Sequence, residues 1–258
     1  MPEFDNVYRT PFYQKIKSEY DGIFNEKYFT EESETMLTKG YSLTVRYFEK
    51  ETQMPDSGIT RVYSCSHSVL YNGGEEVFSF ECIDGAYLEK SAAVFTVKGE
   101  DYFFFKEDLY GYSVLRMRDK AVMHYIPEGC KPLVSKYSGL GESFIITDFT
   151  FFEEYSFALC VGCFWGYPYD VLICDLSEPL TEPRNMPLIR DIIAPLGGFG
   201  FDDVCCDDID FKGFIDGKFV FAAEVERDER SATEEYSFTG EYLREQLEVL
   251  KNSPQKTE

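Results

Sequence analysis

The chain has 258 residues, 47 of them Asp or Glu against 25 Lys or Arg, for a formal charge of -22. That balance excludes duplex nucleic acid and anionic lipid as favoured partners, because affinity for either comes from Lys and Arg displacing counterions. It does not describe a disordered chain: 44% of the residues are hydrophobic, with 24 Phe and 19 Tyr, far from the compositions that fail to build a core.

In chain order, Phe12, Ile16 and Tyr20 recur at i, i+4 and i+8, with Ile23 and Phe24 on the same face, and predict a short amphipathic helix over 11–29. Thr30-Glu31-Glu32-Ser33-Glu34 reads as the N-cap and acidic first turn of a second short helix. Residues 1–40 thus form an N-terminal helical segment packed on the main domain. From about Gly40 the texture changes to period two, and 41–240 reads as one β domain.

Turn chemistry marks the hairpins. Residues 59–71 lead through Asn72-Gly73-Gly74-Glu75 into Val77-Phe78-Ser79-Phe80. Ala93 to Val97 meets Tyr102 to Phe105 across Lys98-Gly99-Glu100-Asp101, and strands at 111–117 and 121–126 complete a four-stranded meander over 92–127. A further meander runs 144–152, 156–163 and 171–176. Phe211 to Phe214 pairs with Phe219 to Val225 around Asp216-Gly217. Tyr242, Leu243, Leu247 and Leu250 line one face of a closing helix within 241–258, followed by a polar tail.

Asp148-Phe149-Thr150-Phe151 and Asp208-Ile209-Asp210-Phe211 read alike, Asp-apolar-polar-Phe, in two of these meanders. With the other meanders they make about four antiparallel units of roughly 40–60 residues, the size of propeller blades. The expected fold is therefore mainly β: antiparallel meanders arranged as a small or partial β-propeller-like domain, with short helices at the N- and C-termini. Wide Phe and Tyr rings would fill the space between stacked sheets.

Residues 156–180, in which Gly162-Cys163-Phe164 closes one strand, Pro168-Tyr169-Asp170 follows and Asp175-Leu176-Ser177 ends the next, resemble the central strands of propeller-like units in uncharacterised bacterial cytoplasmic proteins. The resemblance implies a WD40-like β architecture and no particular activity. Gly162-Cys163-Phe164-Trp165-Gly166 also matches the active-site pentapeptide of methionine sulfoxide reductase A, whose Cys attacks the sulfoxide sulfur. Gly166-Tyr167-Pro168 breaks the helix that this family needs at its cysteine, and Asp170 and Asp175 supply no basic setting for a thiolate, so we read the match as coincidental.

Other candidate sites compete with simpler readings. Only two histidines are present: His67 lies in an alternating strand and His124 in Val122-Met123-His124-Tyr125, so each reads as a hydrogen-bonded strand histidine rather than a base. Cys160, Cys163, Cys205 and Cys206 would be four thiolates for zinc, but i and i+3 on a strand face opposite ways, and core packing is favoured. Asp202, Asp203, Asp207, Asp208 and Asp210 form the densest acid cluster, a weak candidate for a hard cation and otherwise a solvated turn edge. Tyr110, Tyr112, Trp165, Tyr167 and Tyr169 cluster in turns between strands and are the candidate binding rings.

No constellation of catalytic residues emerges, and no cofactor is implied. The expectation is a non-catalytic, cytoplasmic binding protein whose acidic surface meets a basic protein partner, with no nucleic acid and no membrane. The eight cysteines read as reduced thiols, because the first residues lack the basic and apolar regions of an export signal. The alternative is a thiol-dependent, methionine sulfoxide reductase-like enzyme using Cys163.

Overall fold

A computed structural model describes residues 20–53, 58–83, 92–125, 144–164, 169–181, 183, 186–196, 208–227 and 230–252. Its contacts divide the chain into two compact units, Met1–Ser143 and Phe144–Glu258. The described chain is mainly β, in four antiparallel sheets, each built from strands consecutive in sequence.

The first unit holds two four-stranded sheets. One has the order β1 (Phe29–Met36), β2 (Tyr41–Gln53), β3 (Thr60–Asn72), β4 (Glu75–Ile83); the other runs β5 (Ala93–Val97), β6 (Glu100–Phe105), β7 (Tyr112–Arg116), β8 (Val122–Tyr125). The tight turns fall where the sequence places them. Gly73 and Gly74 have φ of 58° and 86°, and Lys98 and Gly99 have 52° and 79°. Two consecutive positive φ values match the right-handed twist of the flanking strands.

These sheets pack face to face. Leu43, Val45, Leu70, Phe80 and Cys82 of the first meet Val94, Phe103, Phe105 and Leu115 of the second. The Phe80 and Phe105 ring centroids are 4.6 Å apart, so wide rings span the gap between backbones. The second sheet is buried on its other face as well, where Phe104 stacks on Tyr112 at 4.9 Å. Over the other face of the first sheet, Tyr20 and Ile23 cover Phe48, Tyr63, Cys65 and Ile83.

The N-terminal helices require correction within the described residues. The expected helix over 11–29 lies outside them up to residue 19. Beyond that, Tyr20 to Asn25 are turns and bends, and Glu26–Tyr28 is a single 3₁₀ turn whose Asn25 side chain accepts from Lys27 N–H at 3.1 Å. The apolar positions Tyr20 and Ile23 are nonetheless buried. The second helix, expected from Thr30, is strand β1 instead, pairing Glu31 to Met36 with Tyr47 back to Ser42. Helix propensity differs by only tenths of a kcal/mol per residue, and this Glu-rich stretch has no apolar face to bury as a helix, whereas pairing satisfies its backbone at once.

The second unit holds β9 (Ile145–Phe152), β10 (Phe157–Cys163) and β11 (Tyr169–Asp175) in the order β11-β10-β9, and β12 (Ile209–Ile215), β13 (Lys218–Arg227) and β14 (Arg230–Phe238) in sequence order. Among the described residues, two α-helices accompany these sheets, α1 (Ile189–Leu196) and α2 (Gly240–Asn252). The two similar tetrapeptides, at 148–151 and 208–211, open the first strand of each sheet or lie within it. One core joins Phe157, Leu159, Val171 and Ile173 to Ile189 and Ile193 of α1, Phe219, Phe221 and Val225 of β13, and Leu243 and Leu247 of α2. The opposite face of β10 and β11, including Ala158, Cys160 and Cys174, is fully buried too.

Each helix of this unit is tied by an ion pair to β11. Arg190 donates from Nε to Asp170 Oδ2 at 2.5 Å, and Arg244 reaches Asp175 Oδ1 at 2.6 Å. Among the described residues, no helix is long and apolar enough to cross a membrane.

Candidate functional site

The most exposed acidic element of the first unit is β1. It pairs with β2 alone and is the edge of its sheet. Glu31, Glu32 and Glu34 are exposed, while Ser33 and Thr35 are half-buried beneath them. Cross-strand register sets which acids share a face. Glu32 lies opposite Arg46, Arg46 opposite His67 and His67 opposite Glu81, so one row across the sheet reads acid, base, imidazole, acid.

Arg46 organises this row. Its Nη2 donates to both oxygens of Glu26 at 3.0 Å, its Nε lies 3.2 Å from Glu32 Oε2, and its guanidinium sits over the Phe29 ring at 4.8 Å. Reaching two carboxylates through different nitrogens while the plane lies over a ring is a geometry that suits Arg and not Lys. Glu31 and Glu34 have no ion pair among the described residues, and Met36 at the end of the strand is 71% exposed. Electrostatically, the edge is a backbone ladder flanked by Glu31 and Glu34, which no ion pair compensates among the described residues, and by Glu32, which Arg46 compensates in part.

A second polar group lies inside the same unit. Lys106, Glu107 and Asp108 follow the all-aromatic end of β6 and are buried. Ser113 and His124 face one another across β7 and β8. Ser113 Oγ donates to Glu107 Oε2 at 2.7 Å and lies 2.7 Å from His124 Nδ1, which is itself 2.6 Å from the same carboxylate oxygen. A proton on Nδ1 directed at Glu107 leaves Nε2 as the second ring nitrogen, and that atom is buried without a hydrogen-bond partner among the described residues. Ser, Glu and His are the residue types of a hydrolytic triad, but here both partners converge on one imidazole nitrogen. Ser113 is only 2% exposed, and the group ties β7 and β8 to the chain that follows β6. From the sequence His124 reads as a hydrogen-bonded strand residue. Glu107 and Ser113 escape notice there, because a charged run after a strand normally reads as a solvated turn.

The candidate rings are placed as follows. Tyr110 is half-buried in the β6–β7 connection, and Tyr112 is buried on β7, stacked on Phe104 and 5.3 Å from Tyr125. Tyr169 opens β11 in the second unit and is 47% exposed. Trp165 and Tyr167 lie outside the described residues. So do Asp202, Asp203 and Asp207. Asp208 accepts from the Tyr169 backbone N–H at 2.9 Å, and Asp210 pairs with Lys212 at 2.5 Å. Among the described residues, no three His, Cys, Asp or Glu side chains are grouped to hold a metal ion.

Cys163 ends β10, opposite Ile145 on one side and Tyr169 on the other. Burial pushes its thiol above the ordinary range. The glycine before it has a packing role: a Cβ on Gly162 would stand 2.0 Å from Ile145 O and 2.6 Å from the Phe144 ring, at the bulge between β9 and β10.

No family model matches the chain, and no curated protein matches its sequence. Among solved structures, it is similar to a subtype N10 neuraminidase-like protein of A/little yellow-shouldered bat/Guatemala/060/2010, with 9% identity and a TM-score of 0.31 over 82% of this chain and 83% of that one. A likeness at that level carries no argument about fold or activity.

Proposed function

We propose that this chain is a non-catalytic interaction protein of the cytoplasm whose acidic surface recognises a basic protein partner. One observation carries the reading: the edge strand β1 exposes Glu31 on one face and Glu32 and Glu34 on the other, in a chain of formal charge -22. A field of that sign draws cationic partners and repels polyanions. Cys65, Cys82, Cys160 and Cys174 are buried, which suits reduced thiols of a reducing compartment.

We also read the four sheets as blade-like units of the WD40-like kind. Each is an uninterrupted antiparallel meander, and β6 and β10 bury residues on both faces, which supports stacking between sheets. Of the candidate rings, Tyr169, which opens β11, is the most exposed, and Tyr110 in the β6–β7 connection is half-buried.

Titration of the full chain with a decameric lysine peptide tests the proposal. Binding is expected at low ionic strength, weakening steeply as salt is raised through physiological levels. Neutralising Glu31, Glu32 and Glu34 to Gln should weaken it about tenfold or more. Failure to bind at low salt removes the proposal. The thiol-dependent reductase alternative needs a thiolate at Cys163, and the burial that raises this thiol weighs against it.

A further inference from the structure

We infer that β1 is a docking strand: an extended segment of the partner, with Lys or Arg at alternate positions, adds to its open edge as a fifth strand of the sheet. This rests on the reading above, that the acidic surface binds a basic protein. In an antiparallel ladder every second residue turns its N–H and C=O away from its neighbour, so the eight residues of β1 present donors and acceptors along the side not taken by β2.

Three other edges differ from it. Ile83 N–H at the end of β4 already donates to Glu107 O at 3.1 Å. β12 is preceded by Asp208, whose carboxylate accepts from the Tyr169 N–H of β11. β14 starts at Arg230 and so mixes both signs of charge.

The charges on β1 select the occupant. Edge strands are commonly guarded by charges, Pro or a bulge; β1 carries one irregularity, between Phe29 and Glu31, and from Glu31 to Glu34 its guards are carboxylates. A second copy of β1 would set Glu against Glu, and like charges directly opposite destabilise a pair. A cationic strand reverses the sign of that interaction. Glu32 and Glu34 share one face and Glu31 takes the other, so cations two residues apart in the incoming segment meet Glu34, which has no ion pair among the described residues, and Glu32, which Arg46 already shares. Exposed Met36 and the half-exposed Phe29 ring offer apolar contact at the two ends of the strand. Ser33 Oγ, at the centre, is buried without a hydrogen-bond partner among the described residues.

The test uses the full chain and two decapeptides of identical charge, one alternating Lys and Thr, the other the same sequence N-methylated at alternate amides. The unmodified peptide should bind, and should slow amide exchange in residues 30–36. The N-methylated peptide should bind about tenfold or more weakly, because it has lost its strand donors and keeps its charge. Glu34→Lys should weaken the unmodified peptide while leaving exchange elsewhere in the first unit unchanged. If both peptides bind equally, or protection appears away from β1, the docking strand is wrong and the acidic-surface reading stands. If neither peptide binds at low salt, both fall.

Discussion

A single hydrogen atom decides the packing at Gly162. The β9–β10 bulge brings Ile145 O so close that any side chain there meets backbone rather than a movable group. Gly162→Ala should lower stability by about 1–3 kcal/mol, read as a shift in the denaturant midpoint with an unchanged slope. An unaltered midpoint would mean the bulge relaxes freely. The pentapeptide around this glycine thus acquires a structural reason for its first two residues. The thiol of Cys163, raised by burial, should alkylate slowly at neutral pH and accelerate only above the ordinary thiol range, followed by mass spectrometry of the peptide that contains it. Rapid labelling at pH 7 would reopen the enzymatic reading. In the buried group, Glu107→Ala would leave Ser113 and His124 Nδ1 without their shared acceptor. A loss of about 1–3 kcal/mol is expected, with Glu107→Gln costing less because it keeps an acceptor oxygen.

Elements were legible in the sequence where their signal was local. Asn72-Gly73-Gly74, Lys98-Gly99 and Asp216-Gly217 all mark two-residue turns, and the strands they join follow from alternation on either side. Strand β1 was not, because six polar residues in a row offer helix caps and acids to local rules while the pairing that decides the matter comes from β2, six to nineteen residues further on. Strand β14, Arg-Ser-Ala-Thr-Glu-Glu-Tyr-Ser-Phe, hides for the same reason: one side of it is solvated and its partner β13 supplies the order. Helix α1 spans eight residues, too short for its periodicity to stand out, and is held by Ile189, Ile192 and Ile193 in the core and by the Arg190–Asp170 pair. That pair makes a prediction with a sign. Burial raises the Asp170 carboxyl and Arg190 opposes the rise. An acid whose folded pKa lies above its unfolded value favours folding at low pH, and this contribution is lost as pH rises through the raised value. Arg190→Ala removes the opposing charge, so its deficit should be small in acid, where Asp170 is protonated. The deficit should grow to about 3–5 kcal/mol near neutrality. A deficit independent of pH would show that Arg190 acts only through its packed stem.

At the scale of the whole chain, attraction and repulsion between charges act in opposite senses and salt separates them. The visible surface ion pairs, such as Lys39–Asp101 and Arg118–Glu100, are partly exposed, and each is worth about 0–1 kcal/mol, a gain that salt diminishes. Against them stands a surplus of 22 negative charges, which no arrangement of 25 cations can cancel. Repulsion within that surplus opposes the compact state and acts over many pairs at once. Raising NaCl from about 10 mM to about 150 mM shortens the screening length from about 30 Å to about 8 Å, which silences distant repulsions while leaving close pairs partly intact. The melting temperature should therefore rise over that interval, most steeply at its low end, well below concentrations at which salt strengthens apolar burial. Lowering the pH toward the carboxylate range should flatten the salt response, because protonation removes the same repulsion by another route. A melting temperature that falls with added NaCl would mean that local ion pairs outweigh the surplus charge. The acidic surface would then be a net source of cohesion, and a cationic partner would gain less from meeting it than the carboxylates on β1 imply.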